Sequence, residues 1–371
     1  AELFRDRYGV TERGNFEGRT VLTLSRSVES LAEEYDLSEE EVRERLENAR
    51  RELFEAREAR PRPPRDEKVL AGWNGLMISA LAEGALVLDP EFADPAVDAL
   101  EFCRTRLWDD DERRLHRRFT DGDVGIPGYL EDYAFLGRGA LDVYQATGAV
   151  EHLAFALDLA RTVRDAFYDD AEGTLYFTPV DGESLVARPQ ELTDASTPSS
   201  TGVAVQLLAR LAHVAPDEGF EDVARTVVET HASTVESNPL GHASLTLAAD
   251  DLAAGLLELT VAAEALPESW RDPLARTYLP TRFLSRRPPT DADLEAWLSE
   301  LDLESVPPIW AGREARDGRP TVYACRAFTC SPPRHDLADA LAWAAGELEE
   351  TADSGPATGV SDLQGSDDTE K

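Results

Sequence analysis

Four short stretches combine acidic, amide and aromatic residues, and each stands just before a long apolar run. They are residues 65–75, 128–133, 194–200 and 238–242. If alternate helices of a barrel run in the same direction, these helix starts meet at one end of it. Carboxylates and aromatic rings gathered there suit the binding of a sugar and proton transfer to or from it. We therefore expect a site at the end of the fold where the helices begin.

Asp132 is the leading candidate for a catalytic acid or base. It lies between Tyr129 and Tyr133 in the first turn of an apolar helix, where the helix dipole favours a negative charge. Partial burial against these rings would raise its pKa towards that of a general acid. Asp66 is predicted to supply a second carboxylate, with Lys68 as a nearby cation. The competing interpretations are a helix cap for Asp132 and a surface ion pair for Asp66 and Lys68.

Other residues of these stretches are predicted to bind the substrate. Trp73 and Tyr133 could stack on a sugar face, although a Trp in an apolar helix is more often part of the core. Asn74, an amide in an apolar run, needs hydrogen-bond partners from a neighbouring helix or a ligand. Arg188 and Asp194 either form an ion pair or clamp a carboxylate or phosphate. The predicted substrate-binding set is Trp73, Asn74, Tyr129, Tyr133, Lys68, Arg188, Asp194 and His242.

Histidines and cysteines give weaker signals. His242 begins an apolar helix and His116 lies in a loop before another, so either could act as an acid or base. Cys325 and Cys330 are spaced C-x4-C with His335 five residues later; zinc would lack an evident fourth ligand, and structural cysteines are the alternative. The sequence has no phosphate-binding Gly-rich loop, nucleophile elbow or HExxH. We predict no metal and no cofactor.

Charge and composition limit the partners. The 371 residues include 73 acidic and 37 basic ones, for a net charge of -36, and only Lys68 and Lys371 are lysines. Such an acidic excess, spread over the whole chain, is typical of proteins adapted to concentrated salt, which screens self-repulsion. We interpret the source as a halophilic archaeon; an acidic protein with a basic partner is the alternative. The lack of a basic patch argues against nucleic acid.

The sequence predicts a cytoplasmic protein. No apolar run reaches about 18 residues, so no membrane span is expected. Three cysteines are too few for a disulfide framework, which fits a reducing compartment. The start, Ala1 to Arg5, lacks both an initiator Met and a signal-peptide pattern, so we interpret the chain as a fragment or a processed product.

Buried and half-buried helices alternate along the first part of the chain. The predicted helices are 38–58, 69–88, 93–107, 129–147, 151–167, 198–214, 218–236 and 242–257. The second of these is apolar nearly all round, which predicts burial on every side. A double-ring α/α barrel requires such alternation, whereas an α-solenoid alternates less sharply.

After residue 257 the pattern changes. Strands are predicted at 257–262 and 321–325, and helices at 266–276 and 336–349. The predicted domains are therefore a toroid over 1–256, a small α/β extension with a last helix over 257–349, and a disordered acidic tail over 350–371.

Several motifs resemble a known family. They are Tyr8-Gly-Val, Gly14-Asn-Phe-Glu, Asp66-Glu-Lys-Val-Leu with Trp73-Asn-Gly-Leu-Met, Tyr129-Leu-Glu-Asp-Tyr-Ala-Phe and Tyr323-Ala-Cys-Arg-Ala-Phe-Thr-Cys. From about residue 4 to 345 the chain resembles the spermatogenesis-associated protein 20 family, downstream of that family's thioredoxin-like domain. The resemblance implies a mainly α fold, an (α/α)6 toroid of the six-hairpin glycosidase type, related to N-acylglucosamine 2-epimerases. The chain departs at Pro198-Ser-Ser-Thr-Gly, where the family has Pro-Ser-Gly-Asn-Ser.

Two functions follow as hypotheses. The first is an enzyme that epimerises or hydrolyses a carbohydrate or polyol in the toroid mouth, with Asp132 and Asp66 as acid and base. The second is a non-catalytic or redox-coupled module that binds a ligand for a thioredoxin-like domain, with Cys325 and Cys330 available for thiol exchange. The fold alone does not decide between them.

Overall fold

The chain divides into two compact units, unit 1 over Ala1–Asp66 and unit 2 from Glu67 onwards. The computed structural model describes residues 1–183, 186–326 and 329–346. The predicted acidic tail, 350–371, lies outside the described residues. The predicted boundary between a toroid and an extension falls inside unit 2, where a strand begins at Leu257, and this division stays a prediction.

Unit 1 is built from two short helices and one long helix around a small apolar core. Its helices are α1 (Glu2–Tyr8), α2 (Val28–Tyr35) and α3 (Glu39–Glu58). The start of α3 is fixed by a capping box: the Glu41 amide donates to Ser38 Oγ at 3.2 Å, and the Ser38 amide donates to Glu41 Oε2 at 2.9 Å. Leu31 and Val42 are fully buried between the helices.

Unit 2 contains the other helices and strands of the described chain. Its helices are α4 (Ala71–Val87), α5 (Ala93–Leu107), α6 (Leu130–Thr147), α7 (Val150–Thr162), α8 (Ser200–Leu211), α9 (Phe220–Ser237), α10 (Ala243–Ala254), α11 (Arg271–Arg276), α12 (Asp291–Glu300) and α13 (Leu337–Ala344). Its strands are β1 (Val69–Leu70), β2 (Trp108–Asp109), β3 (Arg114–Thr120), β4 (Asp123–Pro127), β5 (Tyr168–Asp169), β6 (Thr174–Leu175), β7 (Leu257–Ala262), β8 (Arg282–Arg287), β9 (Thr321–Arg326) and β10 (Thr329–Cys330). Short 3₁₀ turns occur at Pro90–Phe92, Pro216–Glu218, Pro239–His242 and Glu268–Trp270, and a π turn at Val163–Phe167.

Helices α4 to α10 form two layers. In one layer α4 packs on α6, α6 on α8 and α8 on α10, while α5, α7 and α9 each pack outside the helix that precedes them. Helices α6 and α8 are buried over most of their length because they have neighbours on several sides. The mainly α fold class is confirmed, and these helices show the inner and outer alternation that the sequence predicted.

Glycine allows the first two inner helices to approach closely. A Cβ atom on Gly75 of α4 would lie 2.4 Å from the Leu136 nitrogen of α6, so only glycine fits there. The expectation that this helix is buried on every side is wrong, however. Trp73 and Met77 are 61% and 60% exposed on its opposite face.

A mixed sheet follows the helices, in the order β10-β9-β7-β8. Strand β8 is parallel to β7, and β9 is antiparallel to β7. Near the start of α6, β3 pairs with β4 as an antiparallel hairpin. None of the described helices combines the length and apolar character needed to cross a bilayer.

Candidate functional site

Asp132 ties the start of α6 to the start of α4. Its Oδ1 accepts the Gly72 amide at 3.0 Å, while its Oδ2 accepts the Tyr129 amide at 3.0 Å and Arg117 Nη1 at 2.9 Å. The side chain is 1% exposed, and burial raises the pKa of Asp132 although these hydrogen bonds oppose the rise. These contacts are those of the helix cap that the sequence offered as the alternative. A catalytic role for Asp132 stays a prediction.

Asp194 links the starts of α8 and α10 in the same way. Its Oδ1 accepts the Ser199 amide and its Oδ2 the Ser244 amide, both at 3.0 Å, and Ser244 Oγ also donates to it. Burial alone would raise the pKa of Asp194, but the hydrogen bonds from Ser244 and Ser199 outweigh it and lower this pKa. The helix starts are therefore connected in two pairs, α4 with α6 and α8 with α10.

The predicted ion pair between Arg188 and Asp194 is wrong. Arg188 Nη2 donates to the Thr178 carbonyl at 2.6 Å, and its guanidinium lies 4.2 Å from the centroid of the Tyr176 ring. Among the described residues no ion pair joins Arg188 to Asp194, whose acceptors are already occupied by helix amides.

Two residues that the sequence did not indicate, Arg117 and Glu191, lie near Glu131 and Asp132. Arg117 on β3 donates through Nη1 to Glu131 Oε1 at 2.6 Å, in addition to its bond to Asp132. Glu191, from the loop before α8, accepts a hydrogen bond from Ser200 Oγ at 3.3 Å. Burial and the charge of Glu131 raise the pKa of Glu191, which is still accessible to solvent. We call Arg117, Glu131, Asp132 and Glu191 the Arg117 cluster.

One aromatic residue accompanies this cluster at the surface. Tyr129 is half-buried, stacks on Phe177 with ring centroids 4.8 Å apart, and has the Arg117 guanidinium 5.3 Å from its ring. Tyr133, by contrast, is 4% exposed, and its hydroxyl accepts the Leu115 amide at 2.8 Å. Of the two predicted tyrosines, Tyr129 is therefore the one that a ligand can reach.

The other predicted residues are more scattered. Asn74 donates from Nδ2 to the Leu70 carbonyl at 2.9 Å, so its partner is its own helix start rather than a neighbouring helix. His242 is buried, with Nδ1 2.9 Å from the Asn238 carbonyl. Asp66 and Lys68 are exposed in the extended segment 61–68. Asp66 belongs to unit 1, and its pairing with Asp132 stays a prediction.

His116 is part of β3 rather than of a loop and lines a cavity of about 450 Å³. Its Nδ1 is buried without a hydrogen-bond partner among the described residues. Gly128, Tyr133 and Asp181 also contribute to the wall. The cavity lies beside the start of α6, and Gly128 and Tyr133 of its wall belong to the stretch 128–133 that the sequence singled out.

Cys325 and Cys330 form a disulfide between β9 and β10, where the two residues face each other. Arg313 Nη2 lies 3.2 Å from Cys325 Sγ and 3.4 Å from Cys330 Sγ. His335 contacts the Pro320 carbonyl through Nδ1 at 3.1 Å. Across the described ranges, no group of three or more His, Cys, Asp or Glu residues is placed to hold a metal ion.

Comparison with known proteins confirms the resemblance seen in the sequence. The chain is 28% identical to human spermatogenesis-associated protein 20 over 358 residues, which cover 90% of this chain and 44% of the human protein. The mouse protein of the same name is 33% identical over 230 residues, 57% of this chain and 29% of the relative. The chain thus spans less than half the length of these relatives.

Two further comparisons concern families and solved structures. No family model matches the chain. A glycoside hydrolase of family 105 from C. acetobutylicum is similar in structure with a TM-score of 0.33 and 13% identity, covering 56% of this chain and 61% of that one.

Proposed function

We propose that the Arg117 cluster binds a carbohydrate or polyol and transfers a proton to or from it. The observation that carries this proposal is the unequal pair of carboxyl groups. Glu131 accepts a hydrogen bond from Arg117 at 2.6 Å, while Glu191 is exposed and its carboxyl group accepts one only from the Ser200 hydroxyl among the described residues, at 3.3 Å. Two carboxyl groups in different environments are a common basis for dividing acid and base roles.

Each member of the cluster has a separate task in this proposal. Glu191 is the acid, because burial and the charge of Glu131 raise its pKa, the direction that a proton donor needs, and it is open to solvent. Glu131 is the base and receives a proton as the carboxylate. Asp132 is a positioning residue, since its bonds to Tyr129 and Arg117 hold the other groups in place. The ring of Tyr129 offers a surface on which a sugar can stack.

A thermal-shift screen in molar KCl tests this proposal. Monosaccharides, oligosaccharides, uronic acids and sugar phosphates are added to the wild type, and at least one is expected to raise the Tm. Glu191→Gln is expected to weaken the binding of that ligand roughly 10- to 100-fold, because a hydrogen bond to a charged group contributes about 1.5–3 kcal/mol. If the ligand is turned over, the same variant should lower kcat about 10²- to 10⁴-fold.

Two variants serve as controls. Glu172→Gln removes an exposed acid from a turn and is expected to bind the sugar as the wild type does. Asp132→Asn is expected to weaken the binding of the sugar as well, because it displaces Arg117. The proposal fails if no sugar raises the Tm of the wild type, or if Glu191→Gln and Glu172→Gln bind it equally.

A second candidate function rests on the disulfide. Cys330 is exposed and Cys325 is 2% exposed, so an external dithiol protein can attack Cys330 Sγ. The S–S bond then breaks, and Cys325 leaves as a thiolate beside the Arg313 guanidinium, whose charge favours it. The second thiol of the dithiol protein attacks the mixed disulfide and releases Cys330, so the dithiol is oxidised as the pair is reduced.

Alkylation after treatment with a thioredoxin-type dithiol protein tests this second function. The folded protein is expected to gain two alkyl groups, at Cys325 and Cys330, and Arg313→Met is expected to be reduced several-fold more slowly. Cys103 is an internal control, because burial raises its pKa to about 12 and should leave it unmodified. A disulfide that reacts only after denaturation would exclude this function.

A further inference from the structure

Arg286 on β8 is a buried arginine with an unusual lack of partners. It is 2% exposed, and neither Nε nor Nη1 has a hydrogen-bond partner among the described residues. Several other arginines leave one buried Nε without a partner, but in the described part Arg286 alone lacks partners on two nitrogens. A buried charge is normally paired, because removing it from water is costly.

The surroundings of the guanidinium stabilise its positive charge only in part. Gly148, just past the end of α6, has φ 79°, and a Cβ there would lie 3.1 Å from Arg286 Cζ. The glycine thus lets the guanidinium approach the negative end of the α6 dipole. Burial lowers the pKa of Arg286, and the positive charge of Arg271 lowers it further.

The same guanidinium lines a cavity of about 320 Å³. Trp297 and Pro289 supply apolar surface, while the exposed residues Glu264 and Asp293 add two carboxylates. This volume is at the lower end of the range for small-molecule sites. Arg287, a second buried arginine on this wall, already bonds the Trp310 carbonyl and Asp291. The cation left for a ligand is Arg286, and together with the two acids it matches a ligand that carries both charges. A simple anion would be repelled by the acids.

We propose that this cavity binds a small zwitterion of the α-amino acid class. Its carboxylate accepts hydrogen bonds from Arg286, its ammonium group faces Glu264 and Asp293, and its side chain lies against Trp297. The site is at the opposite end of α6 from the Arg117 cluster, about 27 Å away for an 18-residue helix. The two proposals can therefore fail independently.

Thermal-shift measurements with the twenty proteinogenic amino acids test the proposal. At least one is expected to raise the Tm of the wild type in a saturable manner, as mass action requires. For that amino acid, the matching acid without the amino group should bind at least tenfold more weakly, and the decarboxylated amine should give no shift. If none of the twenty raises the Tm, the cavity is not an amino-acid site.

Two variants separate a ligand site from a structural arginine. Arg286→Met is expected to abolish the shift while leaving the ligand-free Tm unchanged or higher, because it removes an unpaired buried charge. A lower ligand-free Tm would show that the end of α6 already satisfies Arg286 and would overturn the proposal.

The double variant Glu264→Gln, Asp293→Asn changes exposed side chains only. It should weaken the binding of the amino acid at least tenfold. The binding of the matching acid without the amino group should not change. This comparison tests the assigned orientation without changing Arg286. Equal binding of the amino acid to the double variant and the wild type would exclude the assigned orientation.

Discussion

Replacing Gly75 with alanine is expected to destabilise unit 2 by about 3 kcal/mol or more, at the upper end of the cost of overpacking. The new Cβ would lie 2.4 Å from both the Phe135 carbonyl carbon and the Leu136 nitrogen. These are backbone atoms of α6, which no rotamer change can move. The two helices must separate, and the bond from Gly72 to Asp132 at their start would lengthen with them.

The effect is measured by denaturant unfolding in molar KCl, followed by circular dichroism. Gly84→Ala is the matched control, since it makes the same change in the same helix. Its nearest neighbour is a ring carbon of Phe92 at 3.3 Å, and this side chain is 39% exposed and can shift. Gly84→Ala should be neutral or stabilising by up to about 1 kcal/mol through helix propensity. Similar midpoints for the two variants would contradict a packing role for Gly75.

Elements with a strong local signal could be predicted from the sequence. The bounds 93–107 and 257–262 are those of α5 and β7, because hydrophobic periodicity and flanking breakers define both. Strand β8 was not predicted, since its sequence Arg-Phe-Leu-Ser-Arg-Arg carries charges at positions that only tertiary packing buries. Helix α12 was also not predicted, although Thr290 caps it.

The sequence predicts where a site should lie, and that location stays a prediction. Asp132 lies in the first turn of α6, where an acid is a local signal, whereas Asp194 lies in the loop before α8. Asp132 bonds Gly72 of α4, and Asp194 bonds Ser244 of α10. Glu191 lies in a loop without periodicity, and its coupling to Glu131 and Arg117 depends on tertiary structure. The salt requirement inferred from the charge of -36 likewise stays a prediction.

Replacing Asp142 is expected to cause the second large loss of folding stability. This carboxylate is 1% exposed, accepts Arg138 Nε at 2.9 Å and Gln145 Nε2 at 2.9 Å, and bonds Ser79 of α4. Gln145 in turn accepts the Leu284 amide of β8 at 2.9 Å. Asp142 therefore joins two inner helices directly and reaches the sheet through Gln145. Asp142→Ala should cost about 3 kcal/mol, at the lower end of the range for a buried ion pair, because it removes the carboxylate of Arg138, whose side chain is 24% exposed.

An exposed ion pair provides the control for Asp142. Glu221 and Arg225 on α9 are 2.6 Å apart, and their side chains are 60% and 48% exposed. Glu221→Ala should therefore cost at most about 1 kcal/mol, and molar KCl should reduce that further. The buried pair is screened much less, so the cost of Asp142→Ala should persist in salt.

A double variant distinguishes a stranded charge from a simple loss of packing at Asp142. Arg138→Met, Asp142→Leu replaces both ionic partners with apolar side chains and is expected to be more stable than Asp142→Ala alone. This follows because the cost of the single variant comes mainly from the guanidinium left without its carboxylate. If the double variant is no more stable than Asp142→Ala, the hydrogen bonds to Ser79 and Gln145 carry the stabilisation instead.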